Sequence, residues 1–206
     1  MFIVYNKYYN RQLIMITNLK KDDLIQFEEH IATLFNNAKI RAPVHLYYGN
    51  EEEIIQTFSK IDKNDWVFCS WRSHYQCLLK GVPKNQIKDN ILNGKSISLC
   101  FPEYKIYSSA IVGGVLPIAL GTAFAAKIKK KKEKVFCFIG DMTSETGMMN
   151  ECYKFAVNHK LPIHFVIEDN NISVCTDTRK TWNMDKLSYE KINNEHVIIV
   201  VATKLK

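Results

Sequence analysis

Two short apolar runs, Val135–Ile139 and Ile163–Ile167, limit what this chain can fold into more than any other feature. Each is β-branched or aromatic and bounded by polar turns, the pattern of a strand buried on both faces of a parallel sheet. Between them, Met148, Cys152, Phe155, Ala156 and His159 fall at i, i+4, i+7, i+8 and i+11, which makes one apolar helical stripe. Ser144 and Glu145 suit the helix start. The result is a strand–helix–strand crossover, and the expected fold is α/β, a three-layer doubly wound, mainly parallel sheet. Each strand ends in polar residues, Gly140-Asp141 after the first and Asp169-Asn170-Asn171 after the second. Ligands of doubly wound sheets collect at those carboxyl ends, so Asp141 and Asn171 are expected to face one crevice.

That pair has a definite chemistry. A carboxylate, an amide oxygen and nearby loop carbonyls make a hard oxygen site for a divalent cation such as Mg²⁺, whose shell is completed by phosphate oxygens. The helix after Asp141 adds backbone N–H groups and a positive dipole end for an anion. Gly, Asp and Asn also occur in plain turns. It is the occurrence of both clusters, about thirty residues apart across a crossover helix, that points to a diphosphate ligand.

At 206 residues and 47% apolar composition the chain can bury one substantial core, so a single domain, 1–206, is expected. No run of eighteen apolar residues is present, and the start lacks the signature of a signal peptide, so the expectation is no membrane contact and a cytoplasmic location. Cysteines 69, 77, 100, 137, 152 and 175 show no C-x-x-C spacing and read as reduced thiols, several of them in the core. Much of the net charge of +7 comes from Lys127, Lys129–Lys132 and Lys134, at the end of a helical stretch expected at Val112–Ala126. Lysines there complement the helix dipole. With no recognition motif beside them, no nucleic-acid partner is expected. An amphipathic helix is expected at Asp22–Asn36, with Leu24, Phe27, Ile31, Leu34 and Phe35 on its apolar face.

The central stretch carries a resemblance. Gly-Asp-x, a helix and then Asn-Asn is similar to the thiamine diphosphate motif, and GDMTSETGMMNE with LPIHFVIEDNN resembles the alpha subunit of 2-oxo acid dehydrogenases. The resemblance implies that Asp141, the Asn171 side chain and the Ser173 carbonyl hold Mg²⁺, and that Gly140, Asp141, Met142, Thr143 and Asn171 border thiamine diphosphate. Met142 stands where the family has Gly, a residue that permits a backbone conformation or close approach that Met resists. A second block, His45-Leu46, Gly49-Asn50-Glu51, Asp65–Phe68, Arg72-Ser73-His74-Tyr75 and Leu78–Gly81, follows the same family in order. By position, Trp71 and Arg72 contact the diphosphate, where an arginine offers a planar two-donor fork. His45 falls near the reacting carbon, as a candidate for proton handling or for orienting the substrate oxygen. A third block, Ala110–Gly121, resembles the segment whose backbone at Ala110 and Val112 holds the aminopyrimidine ring.

Three functions are consistent with these residues. The resemblance implies an alpha-subunit-like component of an oxidative 2-oxo acid decarboxylase, completed in a hetero-oligomer by a beta subunit that brings the activating glutamate. The alternatives are a split transketolase-like or decarboxylase subunit, and a non-catalytic domain of the same fold. The family's longer glycine-rich loop and its substrate-facing His are missing from the irregular stretch Gly94–Ser109. Family members run on well past the point matching Lys206, so the C-terminal part is expected to be missing or replaced. The tail from His196 reads as one short strand.

Overall fold

The computed structural model of the chain describes residues 16–192 and 194–201. Most of residues 1–20, whose sequence carries no clear period and reads as a strand-like or irregular lead-in, and the end of the expected tail strand at 202–206 lie outside them. In chain order the elements are α1 (Lys21–Asn36), α2 (Glu51–Phe58), β1 (Trp66–Cys69), α3 (His74–Leu79), α4 (Lys84–Leu92), β2 (Cys100–Phe101) and β3 (Ile106–Ser108). They continue with α5 (Val115–Ile128), β4 (Val135–Gly140), α6 (Asp141–Ser144), α7 (Gly147–Asn158), β5 (Ile163–Asp169), β6 (Ile172–Ser173), β7 (Thr176–Asp177), α8 (Thr178–Trp182) and β8 (Val197–Val201).

Six strands form one sheet in the order β2-β3-β1-β4-β5-β8, parallel throughout except where β2 runs against β3. Because side chains alternate across a strand, each face of the sheet builds its own core. On one face Val67, Phe136, Phe138 and Val166 pack with Leu24, Phe27 and Ile31 of α1, Ile54 and Phe58 of α2, and residues of α3 and α4. On the other, Val135, Cys137, Ile139, Ile163, Phe165 and Ile167 meet Leu116, Ala119 and Ala123 of α5 and Met149, Cys152 and Ala156 of α7. This is the three-layer, mainly parallel α/β architecture expected from the two apolar runs.

Local chemistry moves some boundaries. The crossover helix does not start at Ser144-Glu145: residues 141–144 form a separate turn of helix, and α7 begins at Gly147 behind Thr146, whose hydroxyl accepts from the Met149 amide at 3.3 Å. Its buried stripe is Met149, Cys152 and Ala156, of which the expected set held the last two, because the flank that carries Met148 (43% exposed) and Phe155 (40%) turns outward. Phe155 instead stacks on His159, ring centroids 4.1 Å apart, and meets Phe124 of α5 edge-on. The expected helix at Val112–Ala126 starts three residues later, since Gly113 takes φ +71° and Pro117 has no N–H for an earlier turn. In α1, Phe35 is exposed while Leu24, Phe27 and Ile31 are buried. The stretch Gly94–Ser109 supplies two strands, of which β3 lies inside the sheet. Cys69, Cys77, Cys137 and Cys152 are buried, whereas Cys100 and Cys175 are exposed.

Candidate active site

The polar residues singled out above converge on the carboxyl ends of β1, β3, β4 and β5. Ser70 donates from its backbone to the Phe138 carbonyl, and Ser109 to the Cys69 carbonyl at 3.1 Å, so the loops after β1, β3 and β4 are tied together where their strands stop. A Cβ built on Gly113 would meet the Thr143 methyl at 3.9 Å, which sets the Ala110–Gly114 loop against α6. Ala110 and Val112 are exposed on this rim, and Ile111 is 70% exposed beside them.

Asp141 directly follows β4 and is 2% exposed, yet among the described residues its Oδ2 has no hydrogen-bond partner. A buried carboxylate oxygen without a donor is costly, and the normal remedies are a cation or a proton. Burial does raise its pKa, opposed by the neighbouring Thr178 side chain and reinforced by the charge of Asp169. Before it, Gly140 has nothing within 4 Å of where a Cβ would stand, leaving the backbone open to close approach. These two residues fit a cation and a phosphate group.

Asn171 is arranged less simply. It adopts φ +59°, a conformation asparagine tolerates, and is 9% exposed. Its Oδ1 accepts from Arg179 Nη1 at 2.9 Å and from the Arg179 amide at 3.3 Å, and its Nδ2 donates to Asp177 at 3.1 Å. The same guanidinium grips Asp169, Nη2 to Oδ2 at 2.8 Å, and Glu190 at 2.7 Å, while the Tyr189 hydroxyl donates to Asp169 at 2.5 Å. Burial works against the Asp169 charge, but Arg179 and Tyr189 hold its pKa below the ordinary carboxylate value. Asn171 could join a cation site only by exchanging Arg179 for the metal. Ser173 sits in β6, paired with Thr176 in a hairpin that crosses the same end of the sheet. Among the described residues, no group of three His, Cys, Asp or Glu side chains could hold a metal by itself.

Met142 corrects an expectation. It lies in the helical turn α6 and is absent from the residues with positive φ, so the backbone at this position does not demand glycine. Its sulfur accepts from Trp182 Nε1 at 3.2 Å, which turns the side chain toward α8.

The second block assembles on the opposite side of the strand ends. The His45 and Trp71 rings lie 5.7 Å apart. Partial burial lowers the pKa of His45, with Arg72 and His74 adding to the effect, so the neutral ring is favoured. Arg72 lies with its Cζ 5.6 Å from the Tyr47 ring centre, and its buried Nε has no partner among the described residues. His74 is fully buried and structural: Nδ1 meets Glu28 of α1 at 3.0 Å and Nε2 meets Ser96 at 2.9 Å. Sequence reading missed the acid in this group, Glu168, which faces Tyr47 and Asn50 from the end of β5. The available signal was a carboxylate inside a run of Val and Ile residues. It missed Arg179 as well, whose role depends on a hairpin that pattern could not place.

Comparison with known proteins shows the family. The family model described as dehydrogenase E1 component matches residues 20–201. The chain is similar to the pyruvate dehydrogenase E1 component subunit alpha of Rickettsia prowazekii, 31% identical over 183 residues, covering 83% of this chain and 56% of that protein. It is also similar to subunit alpha-3, chloroplastic, of the Arabidopsis thaliana pyruvate dehydrogenase E1 component (30% identical, 70% of this chain, 37% of that protein). A third relative is the alpha subunit of Bacillus subtilis acetoin:2,6-dichlorophenolindophenol oxidoreductase (29% identical, 73% of this chain, 48% of that protein). The chain thus spans roughly 37% to 56% of the length of these relatives. With this match over most of its length, on a mainly parallel α/β sheet with the motif residues at its carboxyl end, the chain belongs to the dehydrogenase E1 component family.

Proposed function

We propose that this chain is the alpha-subunit-like component of a thiamine diphosphate-dependent 2-oxo acid dehydrogenase. The observation that carries the reading is the unpartnered, buried Oδ2 of Asp141 next to the open backbone of Gly140, at the carboxyl end of the central strands. When bound, the cofactor supplies an ylid carbon and an electron sink for cleavage beside a 2-oxo group. The protein's own tasks are binding, orientation and exclusion of water. Asp141 would hold Mg²⁺ by its free oxygen, with the Asn171 side chain and the Ser173 carbonyl as further ligands once Arg179 yields. Gly140 and Thr143 border the diphosphate, Arg72 offers its fork, and Trp71 covers it. Ala110 and Val112 present backbone groups to the aminopyrimidine ring, and neutral His45 is available to accept or relay a proton at the substrate side.

Catalysis would also need a beta subunit supplying the activating glutamate. The outer face of α5 suits such a partner: Ile118, Phe124 and Ile128 are exposed on a helix that is apolar all round, and helices of that kind are normally covered. No helix among the described residues is long and apolar enough to cross a membrane. We assign the chain to the cytoplasm and read it as one domain.

A second reading, a non-catalytic domain of the same fold, is favoured by one observation, the occupation of Asn171 Oδ1 by Arg179. Calorimetric titration with thiamine diphosphate, with Mg²⁺ and then with chelator, separates the two. The proposed function expects metal-dependent binding that Asp141→Ala abolishes. Absence of binding, or binding indifferent to chelator and to Asp141→Ala, supports the second reading or a different cation site.

A further inference from the structure

Among the described residues the Tyr47 hydroxyl has three polar neighbours, and their chemistry limits where the protons can lie. Gln76 Nε2 can only donate to it, the Arg72 carbonyl at 2.9 Å can only accept from it, and Glu168 Oε2 stands at 3.1 Å. A phenol has one proton to give. Either that proton goes to the Arg72 carbonyl and Glu168 is a neutral acid that donates in turn, or it goes to Glu168 Oε2 and the acid is ionised, so the cluster accommodates both protonation states. The other carboxyl oxygen, Oε1, accepts from Asn50 Nδ2 at 3.2 Å in either state. Turning Gln76 over would not help, because the phenol would then face three acceptors with one hydrogen.

Burial tips the balance toward the neutral acid. Glu168 is faced by Tyr47 and Asn50 from the segment before α2, by Cys69 from β1 and by Arg72 from the loop after it. Gly140 of β4 and Val200 of β8, its register neighbours, carry no charge. Asp169 is engaged by Arg179 and Tyr189 in the core of the opposite face. Arg72 is the single cation in this set. Burial nevertheless outweighs it and pushes the acid up to about 7.

We propose that Glu168 is a positioning residue which takes up a proton when an anion reaches Arg72, so that it stands behind the diphosphate site as a neutral hydrogen-bonding group and not as a competing charge. The inference rests on the reading that Arg72 holds a diphosphate. An ionised Glu168 would repel that anion and draw the guanidinium to itself. A bound anion, in turn, makes ionisation of Glu168 harder. Linkage then requires that binding takes one proton from the buffer onto Glu168 Oε2 near and above neutral pH, and that affinity falls as pH rises.

The test is calorimetric titration of the full chain with thiamine diphosphate, and separately with inorganic diphosphate, both with Mg²⁺. Buffers of different ionisation enthalpy report the proton count at pH 7.5, and affinities are compared at pH 6.5 and 8.5. The wild type is expected to take up a substantial fraction of a proton beyond that taken up by Glu168→Gln. Its affinity should fall about fivefold more than that of Glu168→Gln over the same pH range, while the two bind alike at pH 6.5. Infrared difference spectra of the wild type give a readout that does not depend on the variant folding: a protonated-carboxyl band should grow on adding either ligand at pH 7.5. Equal proton uptake and equal pH slopes in wild type and variant, or no such band, with binding intact, overturn the role of Glu168 and leave the proposed function standing. Failure of the wild type to bind either ligand at any of these pH values overturns both.

Discussion

Arg179 Nη1 lies 2.9 Å from Asn171 Oδ1, the oxygen that a cation at this site would use. The same guanidinium neutralises Asp169 and Glu190 and orders the segment after β7 against the sheet. Removing it therefore has two opposed effects. Arg179→Met should lower unfolding stability by about 1–3 kcal/mol, the range for hydrogen bonds to charged groups, while freeing Asn171 for Mg²⁺. Denaturant unfolding measures the first effect and Mg²⁺ titration the second. The account expects a less stable protein with an unchanged or tighter Mg²⁺ requirement, and a stabilised variant would contradict it.

The Asp169 pair also sets an acid limit. Its folded pKa is depressed, so its contribution is fully present above the ordinary carboxylate pKa of about 4 and is lost as pH falls through the lower folded value. Wild type and Asp169→Asn should therefore converge in stability at low pH and differ most near neutrality. A difference that stays constant down to pH 2–3, on the order of the lowest folded carboxylate pKa values, would show that Asp169 is not charged in the folded state.

Histidine 164 works in a higher window. It stacks on Phe136 at 4.9 Å, its Nδ1 meets the Glu195 carbonyl at 2.8 Å, and burial lowers its pKa to about 4. The unfolded chain then binds the proton more readily between about pH 6.5 and the folded value, so stability falls as pH drops through that interval. His164→Phe keeps the stacked ring and removes the proton. Chemical denaturation at pH 7 and 4.5 should show a smaller acid loss in the variant, by about 1–2 kcal/mol after allowing for partial solvent contact. Equal losses would place the titrating group elsewhere.

Much of this was legible in the sequence. Strand-length apolar runs made β4 and β5 visible, and their polar ends located Asp141 and Asn171. The short inner strand β3 was not legible, because three residues carry no period and owe their place to β1 beside them. Nor was the true apolar face of α7: once Thr146 caps the helix, sheet contact falls to Met149, and no count of apolar residues separates Met148 from Met149. Glu168 and Arg179 gain their roles from partners far away in sequence, Tyr47 for the one and Asp169, across a hairpin, for the other.

Met142 stands where the resemblance has Gly, and its place in the structure sets the effect of restoring one. Since it is helical and engaged by Trp182, Met142→Gly should cost about 1 kcal/mol of stability from helix propensity and alter Trp fluorescence without tightening cofactor binding. A clear gain in affinity would show that the methionine side chain does obstruct the ligand.

The central claim is that this chain holds the cofactor while a second chain completes the site. The most direct measurement is 2-oxo acid-dependent reduction of an artificial electron acceptor, by the purified chain alone and after mixing with a purified beta-type subunit, both with thiamine diphosphate and Mg²⁺. The account predicts no turnover by the chain alone and turnover by the mixture, abolished by Asp141→Ala. Turnover by the chain alone, or an inactive mixture in which both chains associate and the cofactor is bound, would contradict it.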